Sequence, residues 1–295
     1  MLATITTAVG LLVTGSAEAE VTAMTPREKA EAVVVAGMPA GSRFGGVLVR
    51  QWNADAHRPA GSLVFADQEG GRVKTFPRLA PWRAASQYVS AAEAFAAGRA
   101  TAAALRREGV HGSFAPVLDL PDGPLGSRQF AKPAYGVAFA RGLGAAACPK
   151  HFPGLGSTPE STDVARVYGV LRSDDVAPFR AAIRAGVPCV MVGHAIYPRL
   201  GPRRASFEPK TYALLRRLGF EGVAITDSIG VLGSPYAPFW ARLALRAGAD
   251  MVLTTSARDG RRIVNALVPL ARAGELDAKL VRISRYRSLV AAPTP

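Results

Sequence analysis

Apolar residues occur along the chain in short unbroken runs rather than in strict alternation with polar ones. The runs fall at residues 45–49, 63–66, 112–118, 145–148, 188–192, 222–226 and 250–253. A continuous apolar run suits a parallel strand covered on both faces, whereas an edge or half-exposed strand would alternate. Between them lie Ala-rich stretches at helical spacing, such as 91–108 and 176–185. Strand and helix signals that alternate in this way predict an α/β fold with a parallel sheet, either a barrel or a doubly wound sheet. Seven strands are readable and an eighth is not. The Gly154-Leu155-Gly156 segment lacks the full G-x-G-x-x-G pattern and runs into Ser-Thr-Pro, and there is no Walker loop, so the nucleotide-binding form of a doubly wound sheet has little support. The expectation is a single-domain (β/α)8, TIM-like barrel.

Polar residues collect where the strand runs stop. Asp67-Gln68-Glu69-Gly70-Gly71-Arg72 follows the second run, Asp119 the third and Lys150-His151-Phe152-Pro153-Gly154 the fourth. His194 closes the fifth and Asp227 the sixth. In an α/β barrel these ends share one face, where active sites are built. Charged groups gathered at one mouth are costly unless paired with each other or with a ligand. Separated carboxylates beside cations suit a hydroxyl-rich ligand and glycosyl chemistry. No nucleophile elbow and no His-Glu-x-x-His pair is present.

Composition narrows the classes further. At 295 residues, with 49% hydrophobic and 20% charged residues, the chain can bury one large core and bulk disorder is excluded. Cys148 and Cys189 have neither a zinc-site nor a redox-motif spacing, and each sits in an apolar run, which predicts buried free thiols. No metal or cofactor is expected. The net charge of +14 comes from arginines scattered along the chain rather than from a basic tail or an aromatic-interleaved stripe. This argues against nucleic acid and for a solvated basic surface, with loose attraction to an anionic cell envelope as the sharper alternative. The first twenty residues are apolar and small and end in Ala17-Glu18-Ala19, a small-x-small cleavage pattern, although a positive leader region is missing. The expectation is a signal peptide over 1–20, a barrel over 21–295 and secretion, with a cytoplasmic location as the alternative.

The motifs together resemble the bacterial β-N-acetylhexosaminidases of glycoside hydrolase family 3. The resemblance runs from about Met24 to Leu289 through Met24-Thr25-Pro26-Arg27-Glu28-Lys29, Asp67-Gln68-Glu69-Gly70-Gly71-Arg72-Val73 and Phe114-Ala115-Pro116-Val117-Leu118-Asp119. It continues through Arg128-Gln129-Phe130, Lys150-His151-Phe152-Pro153-Gly154, Val190-Met191-Val192-Gly193-His194 and Gly222-Val223-Ala224-Ile225-Thr226-Asp227. It implies a (β/α)8-like barrel and a retaining exo-β-glycosidase that removes terminal N-acetylglucosamine from cell-wall or chitin-type glycans. Asp227 aligns with the nucleophile that forms a glycosyl-enzyme. Asp67, Arg128, Lys150 and His151 align with groups that bind sugar hydroxyls, and His194 is a weaker candidate for the same role. Arg72 is expected to orient Asp67 or Glu69, with Glu69 structural.

One part of the pattern is absent. The resemblance implies an acid/base His, oriented by an Asp, in the loop after Lys-His-Phe-Pro-Gly. Here that loop reads Gly154-Leu155-Gly156-Ser157-Thr158-Pro159-Glu160-Ser161-Thr162-Asp163, with no His. By ungapped counting Asp163 falls at the His position and Ser161 at the Asp position. Larger members of the family take a Glu from a second domain, for which 295 residues leave no room. The second acid after the nucleophile is also replaced, by Ser228. Asp163 or Glu160 is therefore the candidate acid/base. The alternatives are a catalytically weak or inactive sugar-binding barrel, and a related β-glucosidase-type enzyme without the N-acetyl requirement.

Overall fold

The computed structural model describes residues 16–291. Parallel strands β1 (Val34–Gly37), β2 (Gly46–Val49), β3 (Leu63–Ala66), β6 (Gly112–Ser113), β7 (Cys189–Val192), β8 (Val223–Ser228) and β9 (Met251–Thr254) form one curled sheet in the order β6-β3-β2-β1-β9-β8-β7. A short hairpin, β4 (Gln68–Gly70) with β5 (Val73–Lys74), projects beyond β3. The two edges of the curled sheet are joined by residues 147–152. Parallel bridges link Ala147 to Ser113 and Lys150 to Val117 on one side, and Phe152 to Val192 on the other. Eight chain positions thus complete the ring of an α/β barrel.

The strand left unread in the sequence is β1. Its residues continue a run, Ala32-Val33-Val34-Val35-Ala36, that begins inside helix α1 (Pro26–Ala32). Only Val33 separates the two elements, so no turn signal marks the change of period. Thr25 caps the helix through a reciprocal capping box with Glu28, and burial against β2 and β9 decides the strand.

The outer layer comprises α1, α2 (Ala91–Arg107), α3 (Pro133–Leu143), α4 (Ser173–Arg184), α5 (Pro209–Arg217), α6 (Ala237–Ala247), α7 (Ala257–Arg272) and α8 (Asp277–Ala291). Loops and 3-10 turns, rather than full helices, connect β1 to β2 and β2 to β3. The strands are buried along nearly their whole length and pack with the inner faces of the helices into one apolar cluster. That double-sided burial explains the unbroken apolar runs.

One sequence expectation changes. Cys148 and Cys189 are not free thiols but a disulfide, with Cα atoms 4.5 Å apart and a sequence separation of 41. Residues 147–152 lie beside β7, as the Met191 N–H bond to the Pro149 carbonyl shows. Neither apolar run reveals its lateral neighbour, so the pairing was invisible in the sequence. The expected signal peptide lies largely outside the described residues. Its described part belongs to a helix over 16–23 that crosses the expected boundary, with Ala17 and Val21 buried and the Glu20 carboxylate accepting a hydrogen bond from Ser284 at 2.5 Å.

Candidate active site

The first wall of the mouth is the β4–β5 hairpin. Gly70 and Gly71 have φ of 108° and 55°, values that other residues rarely adopt, so the Gly-Gly pair permits the tight reversal. The hairpin sets Asp67 at its base and buries Glu69 beneath it. Arg128 grips Glu69 with two parallel bonds of 2.8 and 2.9 Å. Lys150, 5% exposed, places its Nζ 2.8 Å from Asp67 and 2.6 Å from Glu69. Burial alone would raise the Glu69 carboxyl, but Lys150 and Arg128 outweigh it and hold it at about 2. Burial in turn opposes the Lys150 charge, and Asp67 and Glu69 overcome it and raise its proton affinity. Arg72, expected to orient these carboxylates, is instead exposed, and Arg128 and Lys150 do that work. Bidentate geometry suits a guanidinium to carboxylate orientation. Glu69 is the hub of this charge pair network, a role broader than the sequence reading gave it.

The opposite wall carries Asp227 at the C-terminal end of β8. Pairing of β8 with β9 slips between Ile225 and Ser228, a bulge that falls beside Asp227 and re-aims its side chain. Burial pushes the Asp227 carboxyl up, yet nearby His151, His194 and Lys150 and the Ser228 N–H, 2.7 Å from Oδ1, hold it below its ordinary range. The group is therefore a partly buried, ionised carboxylate whose side chain retains 16% exposure.

His151 spans the floor between the walls. Its Nδ1 lies 2.7 Å from Asp119 and its Nε2 lies 4.0 Å from Asp227. Asp119 also accepts the backbone N–H groups of His151 and Leu155, so one carboxylate fixes both the ring and the start of the following loop. This orienting role of Asp119 was not assigned from the sequence, where it appeared only as a strand-end residue. A Cβ at Gly193 would come within 2.9 Å of the His151 Cβ, so glycine is what lets β7 approach the histidine.

His194, expected to bind sugar, is fully buried and both of its ring nitrogens are engaged. Nδ1 lies 2.7 Å from the Ser206 hydroxyl and Nε2 lies 3.2 Å from the Ser228 carbonyl. Burial favours its neutral form over the attraction of Asp227. A ring with no free nitrogen supports the strand end that carries Asp227 and offers nothing to a hydroxyl. The sequence reading of His194 as a sugar donor is corrected on this ground.

The loop that lacks the family's His is pinned where it begins. Thr158 bonds the Leu155 carbonyl, Ser157 bonds the Val170 carbonyl, and Tyr197 bonds the Gly154 carbonyl. Glu160 and Asp163 are both exposed. They differ in surroundings. Asp163 lines a groove of about 640 Å³ together with Arg166, Arg203, Arg204, Phe207, Phe239 and Trp240, whereas Glu160 does not. The groove adjoins the mouth through Phe207, whose ring centroid is 5.9 Å from that of His194, and through Arg204, which bonds the His194 carbonyl. Among the described residues no cluster of metal ligands occurs.

An α/β barrel whose strand ends bring together a partly buried, ionised carboxylate, an oriented histidine and a lysine–carboxylate network is the architecture of a glycoside-cleaving enzyme. Comparison with known proteins names the family. The profile of the glycosyl hydrolase family 3 N-terminal domain matches residues 47–289, and the chain belongs to glycoside hydrolase family 3. It is 37% identical over 263 residues to a β-hexosaminidase of Xanthomonas oryzae pv. oryzae, covering 76% of this chain and 78% of that protein. A β-hexosaminidase of Xanthomonas axonopodis pv. citri is 39% identical over 230 residues, covering 68% of each. Among solved structures, a family 3 β-N-acetylglucosaminidase from Paenibacillus superposes with a TM-score of 0.79 at 25% identity, covering 92% of this chain and 64% of that longer one. A family 3 glycosyl hydrolase from Mycobacterium smegmatis gives 0.78 at 27%, covering 93% and 99%.

Proposed function

We propose that this glycoside hydrolase is a retaining exo-β-glycosidase that releases terminal β-linked N-acetylglucosamine through a glycosyl-Asp227 intermediate. The observation that carries the reading is the state of Asp227: a partly buried carboxylate, held ionised at the end of β8, with part of its side chain left exposed. An ionised carboxylate there can attack an anomeric carbon and be displaced later by water. Asp67 and Lys150 offer an acceptor and donors to sugar hydroxyls, and His151 lies beside the attacking oxygen. The names of the Xanthomonas relatives and of the Paenibacillus structure support the N-acetylhexosaminide as substrate.

For leaving-group protonation we favour Asp163 over Glu160. Asp163 stands in the groove that adjoins the mouth and is near enough to His194 to strengthen its hold on a proton. Its exposure in place of the family's His also supports the second reading, a barrel that binds sugar and turns it over slowly. Export from the cytoplasm is part of the proposal. The leader-like first twenty residues point to it, and the Cys148–Cys189 bridge supports it because disulfides persist mainly in oxidising compartments.

The test is covalent trapping. A 5-fluoro N-acetylglucosaminyl fluoride should label Asp227, with the adduct read by peptide mass spectrometry. Turnover of 4-nitrophenyl N-acetyl-β-glucosaminide without an adduct, or with one elsewhere, overturns the nucleophile. Sugar binding with no turnover of that substrate selects the second reading.

A further inference from the structure

Two tryptophans stand out in water on the face that carries the catalytic mouth. Trp52 is 76% exposed and Trp82 is 68% exposed. A single ring exposed in this way is ordinary on a protein surface, whereas two of them on neighbouring loops mark a place where a partner can bind. Neither ring dangles. Trp52 sits in a 3-10 turn just after β2, and Asn53 braces that turn through bonds to the Arg50 N–H and the Met38 carbonyl. Trp82 follows a loop that the buried Gln68 side chain fastens at the Phe76 and Ala80 carbonyls and at the Phe76 N–H.

Each ring is held by a cation on one side. The Arg50 guanidinium lies 5.3 Å from the Trp52 ring centroid and the Lys74 ammonium 4.6 Å from that of Trp82. The two loops are neighbours. The Thr75 hydroxyl bonds the Val49 carbonyl, next to Arg50, and the Thr75 N–H bonds the Asp67 carbonyl, at the base of the sugar-facing wall. The Trp82 loop contains Arg72, Lys74, Arg78 and Arg83 and no acid between residues 70 and 84. Arg72 and Arg78 are exposed and form no ion pair among the described residues.

We propose that Trp52 and Trp82, with Arg72 and Arg78, form a surface that holds an anionic glycan chain beside the mouth, distinct from the residues that cleave it. The inference rests on the glycan reading of the active site. Flat indole faces stack on the C–H faces of pyranose rings, while the surrounding cations select polymers bearing carboxylate or phosphate groups. A basic aromatic surface also suits single-stranded nucleic acid. Its continuity with Asp67 favours a glycan. The net charge of +14 adds long-range attraction that salt will screen.

The experiment is affinity electrophoresis of the full chain through gels containing carboxymethyl chitin, neutral glycol chitin or oligo-dT. Carboxymethyl chitin should retard the protein most. Retention should fall about tenfold in a Trp52→Ala/Trp82→Ala variant, on the scale of two lost stacking contacts. Arg72→Ala/Arg78→Ala should lower retention by the anionic polymer and leave that by the neutral one. In both variants kcat/KM on 4-nitrophenyl N-acetyl-β-glucosaminide should stay within about twofold of the parent, with unchanged melting temperature, because these exposed side chains make none of the bonds that hold Asp67, Glu69, Lys150, His151 or Asp227. Catalysis is read on the small substrate, so failure of the surface and failure of the proposed activity are separate results. Unaltered retention in the tryptophan variant overturns the proposal, as does neutral polymer binding as tightly as anionic. Stronger retention by oligo-dT through the same residues overturns it in favour of nucleic acid.

Discussion

The His151 ring reaches within 4.0 Å of the Asp227 carboxylate while Asp119 holds its other nitrogen at 2.7 Å. The nucleophile candidate is thereby coupled to a group it does not touch, and Asp119 is a positioning residue. Asp227→Ala should lower kcat at least about a hundredfold, the scale of a lost nucleophile. Asp119→Asn should lower kcat/KM by about 10- to 100-fold, the worth of a hydrogen bond to a charged group, with little loss of fold because one acceptor oxygen remains. A purely structural role for Asp119 predicts a lower melting temperature with unchanged kinetics.

Asp227 must be ionised to attack. Its carboxyl is held below the ordinary 3.8, so the acidic limb that it sets in kcat/KM should lie below that pH. Replacing Lys150 by Met removes one of the groups that favours the ionised form and should move the limb upward. Stopped assays returned rapidly to neutral pH will separate reversible titration from unfolding. A limb at the same pH in both proteins would show that Asp227 does not set it.

Glu69 links pH to stability. Its carboxyl stands at about 2 in the folded chain against an ordinary 4.5, so the stabilisation is complete above 4.5 and is lost as pH falls from there toward 2. The gap corresponds to roughly 3 kcal/mol at neutral pH. Glu69→Gln should therefore lower the unfolding free energy by about that amount at pH 7, leaving Arg128 and Lys150 short of a partner. Urea unfolding at pH 7, 5 and 3 should show the deficit shrinking as pH falls. A deficit that is constant across that range contradicts the assignment.

The leaving group decides the question of the acid. General acid help is worth about 10²- to 10⁴-fold and matters most when a poor leaving group departs. A nitrophenolate needs little help and a sugar alkoxide needs a proton. Asp163→Asn should therefore slow chitobiose hydrolysis far more than cleavage of 4-nitrophenyl N-acetyl-β-glucosaminide, and Glu160→Gln should change neither. The reverse pattern assigns the role to Glu160. Equal small effects of both substitutions exclude the loop as the proton source.

The Cys148–Cys189 bridge closes a 41-residue separation that contains His151 and the Asp163 loop. Removing a cross-link of that span should cost about 4 kcal/mol through the entropy of the unfolded chain. A Cys148→Ala/Cys189→Ala variant should show that loss in denaturant unfolding. Intact mass after alkylation without reduction should show no label on the parent protein. Labelling of both cysteines would refute the bridge.

Much of the molecule was already decided by local pattern. Parallel strands covered on both faces must be apolar throughout, so most of the barrel could be read as runs along the chain. Asp67, Lys150, His151 and Asp227 were legible because each ends such a run and strand ends share one face. Tertiary structure decided the rest, since lateral neighbours leave no mark on a one-dimensional pattern. β1 becomes a strand only through its pairing with β2 and β9, and the two cysteines meet only because residues 147–152 lie against β7. The same holds within the site. His194 ends a strand just as His151 follows one, yet its ring is occupied by Ser206 and the Ser228 carbonyl, whereas His151 faces Asp227. Position along the chain places a side chain at the mouth, and packing against distant segments determines whether its polar atoms remain free to act.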